Sequence, residues 1–264
     1  MSGGWQHGVV RSCRNGGDSA TARVITTRAI TTCVIKVGGS LLGRADWPRL
    51  LTELVQQKSV DSHCLLVVGG GPLVDGLRAI DAAAPQPPDI VHRLAIDLMG
   101  VTARLVAATL AVPLVTSPTS HAISVLDVPG WLGREGRYDQ LPVGWHVTSD
   151  SIAAFVAARS AETRGCELLL AKSVPPPVCP AEQALLESLA QSGWVDAYFP
   201  EAAATLTEIS WACPHFSAPA TPDAEEAVGG TRRRREWQEV KSILPCSKGL
   251  ASEHTAAFSS RDSF

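Results

Sequence analysis

The sequence predicts an α/β protein built around a mainly parallel sheet. Three observations lead there. Short apolar runs recur at 33–37, 64–68 and 168–171, and each stops abruptly at glycine or lysine. Between them lie longer stretches whose apolar residues recur at helical spacing. Strands that are apolar throughout belong to parallel sheets covered on both faces.

The elements follow in order. Cys33-Val34-Ile35-Lys36-Val37 reads as a buried strand that stops at a tight turn, Gly38-Gly39-Ser40. Residues 46–57 have apolar positions Trp47, Leu50, Leu51, Leu54 and Val55, which predicts a helix with Asp46 as N-cap and Pro48 in its first turn. Cys64 to Val68 is a second strand, stopped by Gly69-Gly70-Gly71-Pro72. A helix from Pro72 carries Leu73, Val74, Leu77 and Ile80. Pro85, Pro87 and Pro88 break the chain, and 89–110 stays in register as one long helix. Pro113-Leu114-Val115 begins a short strand, and 123–128 forms another that ends at Pro129-Gly130. Ser149-Asp150 opens a helix from Ser151 to Arg159. Leu168 to Ala171 is a strand ending at Lys172, 181–190 is a helix, and Ile209 to Cys213 is the last strand.

Composition narrows the function classes. The chain has 264 residues, 45% apolar and 19% charged, which excludes wholesale disorder and allows one large or two small domains. A net charge of -3 gives no sign of a nucleic-acid binder. No run approaches the ~20 apolar residues of a membrane span. The 7 cysteines form no CxxC pair and their number is odd. A disulfide framework or structural zinc site is not expected, and reduced thiols point to a cytoplasmic protein. Residues 1–32, with Arg11, Arg14, Arg23 and Arg28 against Asp18, read as an unstructured extension or a misplaced start. Residues 218–264 carry Arg232 to Arg235 but balance acids and bases, so they read as a solvated tail. The folded domain is expected over 33–217.

The chemistry gathers at strand ends. In open α/β sheets, ligands bind beyond the carboxyl ends of the strands. Lys36 to Ser40, Gly69 to Gly71 and Lys172 all fall at such ends and come from separate strands. Gly38-Gly39-Ser40 offers backbone N–H groups to an anion, and Lys36 adds charge. A lysine in an apolar strand needs a counter-charge. Arg44 and Ala45 stand where a P-loop requires Lys and Ser/Thr, so that motif is rejected. Gly69-Gly70-Gly71 is a second donor loop. Asp150, within His146 to Ser151, reads as part of an N-cap cluster, as an orienter of a lysine, or as a water-mediated Mg²⁺ partner. Two lysines, two glycine loops and an aspartate match phosphoryl transfer, which needs positioning and charge neutralisation. His92, His121 and His146 are too dispersed for a metal site, and no metal ligands are assigned. Trp131, Trp145, Trp194 and Trp211 read as packing residues. Neither GxSxG nor a strand-following GxGxxG is present.

Those residues resemble the amino acid kinase family, which includes acetylglutamate, aspartate and uridylate kinases. Residues 34–42 (VIKVGGSLL) resemble its opening strand and phosphate loop, 66–71 (LVVGGG) its acceptor loop, 147–154 (VTSDSIAA) its Asp-bearing helix start, and 168–172 (LLLAK) a strand leading to the nucleotide. The resemblance implies a three-layer αβα sandwich that moves the γ-phosphoryl group of ATP, with Mg²⁺, to a small-molecule carboxylate or phosphate. It implies that Lys36 meets the transferring group, while Gly38, Gly39 and Ser40 hold the ATP phosphates. Gly69, Gly70, Gly71 and Ser149 would face the acceptor, Asp150 would orient the lysines, and Lys172 would sit near the nucleotide. A homo-oligomer is implied too. The HVTSDSIAA wording is most similar to the short subgroup that phosphorylates (aminomethyl)furan-methyl phosphate in methanofuran-type cofactor synthesis. Two departures stand out. The late Gly-Gly-Met-x-x-Lys element is missing, and Ser173-Val174-Pro175-Pro176-Pro177 replaces an Asp-x-x-Gly turn. They motivate the alternative of a non-catalytic nucleotide- or anion-binding protein of the same fold.

Overall fold

The computed structural model describes residues 31–119, 121–161, 166–174, 176–177, 185–214 and 237–240. In chain order these are β1 (Thr31–Val37), α1 (Gly39–Leu42), α2 (Trp47–Lys58), β2 (Ser62–Val68), α3 (Pro72–Ala83), α4 (Pro88–Leu110), β3 (Leu114–Val115), β4 (Ile123–Leu126), α5 (Val128–Leu132), α6 (Ser149–Ala161), β5 (Cys166–Ala171), α7 (Leu185–Gln191), α8 (Phe199–Ala202), β6 (Ile209–Pro214) and β7 (Trp237–Val240). A 3-10 turn, Arg137–Gln140, lies between α5 and α6.

The strands form one sheet in the order β3-β4-β2-β1-β5-β6-β7. The pairings of β1 through β6 are parallel, and β7 adds antiparallel to β6. The chain moves outward from β1 to β2 and β4 on one side, then crosses to β5 and β6 on the other. That reversal makes the carboxyl end of β1 a topological switch point, where such sheets open a crevice.

Alternation along the strands sorts the core into two layers. Cys33, Ile35 and Val37 of β1 join Leu66 of β2, Leu169 of β5, and Leu50, Leu51 and Leu54 of α2. Val34, Leu65 and Leu168 join Ile152 and Val156 of α6 and Phe199 of α8 on the other face. Helices therefore cover both faces, and the apolar strands are explained by burial on both sides. Lys36 follows Val34 by two residues and shares its face, toward α6.

Three readings are corrected. The strand expected over 123–128 ends at Leu126, because Asp127 and Val128-Pro129 start α5, where proline suits the first helical turn. Asp46 occupies the N-cap position of α2 but makes no side-chain cap bond. Its carboxylate pairs instead with Arg44 Nε at 3.0 Å. The turn at Gly38-Gly39-Ser40 winds directly into the short helix α1. The extension 1–32, apart from the start of β1, and the tail 218–264, apart from β7, lie outside the described residues, as do 181–184 of the helix expected over 181–190.

Leu66 is fully buried in the central strand pair, whereas Ile80 on α3 is exposed. Leu66→Ala is expected to lower unfolding free energy by about 2–5 kcal/mol. Ile80→Ala should change it by less than about 0.5 kcal/mol. Urea unfolding of both variants measures the difference.

Candidate active site

The two glycine loops meet back to back at the carboxyl ends of β1 and β2. The Gly38 N–H donates to Ala171 O at 2.8 Å, and the Gly69 N–H donates to Val37 O at 2.9 Å. These bonds tie both loops to neighbouring strands. A Cβ on Gly39 would lie 2.4 Å from Cα and N of Gly71. A Cβ on Gly71 would lie 2.8 Å from Gly39 O, and Gly71 also has φ +56°, in the left-handed region. Glycine is required there by contact and by backbone conformation together. The second loop is further held by Thr102 of α4, whose hydroxyl donates to Gly69 O at 3.1 Å.

A carboxylate lies behind this cradle, between two ammonium groups. Lys36 Nζ sits 2.9 Å from Asp150 Oδ1 and Lys172 Nζ sits 3.0 Å from Asp150 Oδ2. The Oδ1 contact is an ion pair without a well-directed hydrogen bond, whereas Lys172 donates to Oδ2. Lys36 is 4% exposed and Asp150 6%. Charges this buried are tolerable because each finds an opposite partner. Burial alone would raise the Asp150 pKa, but Lys36 and Lys172 together outweigh it and hold the carboxyl below its usual range. Burial and the neighbouring Lys36 push Lys172 down to about 8, against the opposing pull of Asp150 and Asp196.

The residues expected for the site come together. Lys36, Gly39, Ser40, Gly70, Gly71, Ser149 and Asp150 all line one cleft of about 230 Å³. Gly38, Gly69 and Lys172 stand behind its wall: a Cβ on Gly38 would reach Lys172 Cα at 3.5 Å and Lys36 Nζ at 3.7 Å. Ser40 Oγ and Ser173 Oγ are 2.8 Å apart, bridging the first loop to the end of β5. Both Asp150 carboxylate oxygens face lysines, Oδ1 toward Lys36 and Oδ2 toward Lys172.

Sequence reasoning missed the far wall. The cleft is also lined by Val74, Arg78, Met99 and Trp145. Arg78 lies 5.0 Å over the Trp145 ring, and Trp145 Nε1 donates to Asp81 Oδ2 at 2.8 Å. Trp145, read as a packing residue, therefore faces the cleft. The signal for α3 was its spacing: Val74, Arg78 and Asp81 fall on one side of a helix that starts at Pro72. His92 is buried on α4 beside Gly144 O, 3.2 Å from its Nδ1, and burial lowers its pKa.

Such an array concentrates positive charge, fixed by one carboxylate, beside two loops of backbone N–H groups. That is the equipment for holding and neutralising phosphoryl oxygens. Among the described residues, no group of three or more His, Cys, Asp or Glu is placed to hold a metal ion.

The family description "Amino acid kinase family" matches residues 31–208. A comparison with curated protein sequences returns no match. Among solved structures, the chain is similar to UMP kinase from Ureaplasma parvum at 15% identity and TM-score 0.48, covering 70% of this chain and 89% of that one. It is similar to uridylate kinase from Archaeoglobus fulgidus at 15% identity and TM-score 0.47, covering 69% and 89%. It is similar to aspartate kinase from Synechocystis at 15% identity and TM-score 0.48, covering 69% of this chain and 38% of that one.

Asp150→Ala strands two buried ammonium groups, so a loss of about 3–5 kcal/mol is expected. Thermal or urea unfolding at neutral pH reads it directly. A loss below 1 kcal/mol would contradict the central placement of this carboxylate.

Proposed function

The chain belongs to the amino acid kinase family, and we propose that it transfers the γ-phosphoryl group of ATP to a small-molecule phosphate or carboxylate. The observation that carries the reading is the single buried carboxylate shared by Lys36 and Lys172 beside the paired glycine loops. The acceptor named by the sequence wording is (aminomethyl)furan-methyl phosphate, which would become the diphosphate.

In this reading an acceptor oxygen attacks the γ-phosphorus, the bond to the β,γ-bridging oxygen breaks, and ADP leaves with that electron pair. Lys36 lies against the transferring group and neutralises charge on its oxygens. Gly39 and Ser40 present donors to the ATP phosphates, and Gly70 and Gly71 with Ser149 face the acceptor, while Gly38 and Gly69 spend their N–H groups on Ala171 O and Val37 O and hold the two loops in place. Asp150 performs no proton transfer; it keeps both ammonium groups aimed at one point. Lys172 takes the part of a second phosphate lysine, which accounts for the absence of the late lysine element in this chain. Mg²⁺ in this reading is the ion carried by the nucleotide phosphates, where it would neutralise charge.

A homo-oligomer fits the row of exposed apolar residues Ile90, Leu94, Val101 and Leu105 along α4. A cytoplasmic setting fits the buried free thiols of Cys33, Cys64, Cys166 and Cys213. No helix among the described residues is long and apolar enough to cross a membrane.

Lys36→Met in the full chain should lower acceptor-dependent ADP release by about 10²–10³. Unchanged release would overturn the kinase reading. The pH profile supplies a second check. Lys172 is charged below about pH 8 and neutral above it, so turnover should fall as pH rises through about 8. An ordinary lysine would hold its charge to about 10.4. A flat profile to pH 10 would remove Lys172 from the chemistry.

A further inference from the structure

The segment from Gly193 to Tyr198, between α7 and α8, touches both charged elements behind the cleft. Lys172 Nζ donates to the Trp194 carbonyl and lies 4.5 Å from the centroid of the Trp194 ring. The ring is itself fixed. Its Nε1 donates to Val174 O at 3.4 Å, and it meets Trp211 edge-on with centroids 6.3 Å apart. Two residues on, Asp196 reaches the start of α6. Its Oδ2 accepts from Thr148 N at 3.0 Å, Thr148 Oγ1 at 2.7 Å and Ser151 N at 3.0 Å. Its Oδ1 accepts from the Ser151 hydroxyl. The N–H groups of Thr148 and Ser151 are orphan donors at the start of α6, satisfied here by a residue from another element. Asp150 stands between Thr148 and Ser151, so Asp196 fixes the turn that carries it. Gly193, with φ +71°, lets the chain leave α7 in the direction this requires.

We propose that Trp194 and Asp196 are positioning residues for phosphoryl transfer, holding Lys172 and the Asp150 turn in one frame. The proposal rests on the kinase reading of the site for its consequence, but its geometry stands apart from turnover. An ammonium group has three donors. Asp150 and Trp194 take two, which sets the direction of the third. The ring supplies a cation–π contact that a flexible lysine would otherwise lack. The charged groups facing Lys172 are Lys36 from β1, Asp150 from α6 and Asp196 from this segment. Removing the Asp196 charge therefore disfavours the ammonium form.

The test uses the full chain and three variants, Asp196→Asn, Trp194→Phe and Trp194→Leu. Competitive labelling with acetic anhydride across pH, read by peptide mass spectrometry, follows Lys172 without any turnover. Asp196→Asn keeps the shape and removes the charge. It should shift the Lys172 labelling midpoint to lower pH by about half a unit, about threefold in rate at pH 7. Trp194→Leu, which keeps the backbone carbonyl but removes the ring, should raise Lys172 labelling several-fold, and Trp194→Phe, which keeps an aromatic ring, should restore it to within about twofold of wild type. With an acceptor in hand, Asp196→Asn and Trp194→Leu should lower kcat about tenfold and leave the KM for ATP within twofold. An unchanged Lys172 profile in Asp196→Asn and in folded Trp194→Leu overturns the proposal. If Trp194→Leu does not fold, an Asp196→Asn profile identical to wild type overturns it alone. Absent turnover in the wild type overturns the kinase reading instead, and the labelling then decides the frame by itself.

Discussion

One buried carboxylate organises this protein. Asp150 lies between two lysines that come from different strands, β1 and β5, and none of the three could be buried without the others. Desolvation opposes each charge by several kcal/mol. The arrangement persists because two cations share one anion, and because the anion sits at the start of a helix whose N-terminus favours it. Both ammonium groups are held beside the cleft. In the proposed reaction, a phosphoryl group entering there would meet a charge that has already been desolvated and aimed, which is what preorganised electrostatic stabilisation requires.

The fold makes that storage feasible. Parallel strands put Lys36, Lys172 and both glycine loops at the carboxyl ends of the three central strands, β2, β1 and β5. The reversal of strand order on either side of β1 opens the space above them. Contact between Gly39 and Gly71 closes the floor so tightly that no side chain fits. The frame behind the cleft is built differently. Trp194 and Asp196 reach it from a loop, through a ring, a carbonyl and a carboxylate, and they bind parts of the chain far away in sequence.

That difference decides what was legible in the sequence. Lys36, Lys172 and the glycines could be read because an apolar strand that stops at lysine or glycine leaves a local mark. The strands were legible for the same reason: apart from Lys36, Cys33 to Val37 and Cys64 to Val68 are apolar on both faces. Asp150 was half legible, since an acid after Thr-Ser also reads as a cap. Trp194 read as packing, which is true of its contact with Trp211 and incomplete for its contact with Lys172. Asp196 left no mark, because the donors it accepts from at the start of α6 lie 45 and 48 residues earlier. Trp145 was misread because its cleft face depends on α3 and α4, a tertiary arrangement that spacing within one segment does not reveal. The strand expected through Val128 failed where Asp127 and Pro129 turned the chain into α5.

The fate of the γ-phosphoryl group of ATP decides the function. The most direct measurement is ³¹P NMR of ATP with the full chain, Mg²⁺ and (aminomethyl)furan-methyl phosphate, followed by other small phosphates and carboxylates. The account predicts loss of the γ resonance, growth of ADP, and a new phosphoryl resonance on one acceptor. An ATP spectrum unchanged with every acceptor, or release of inorganic phosphate alone, would contradict it.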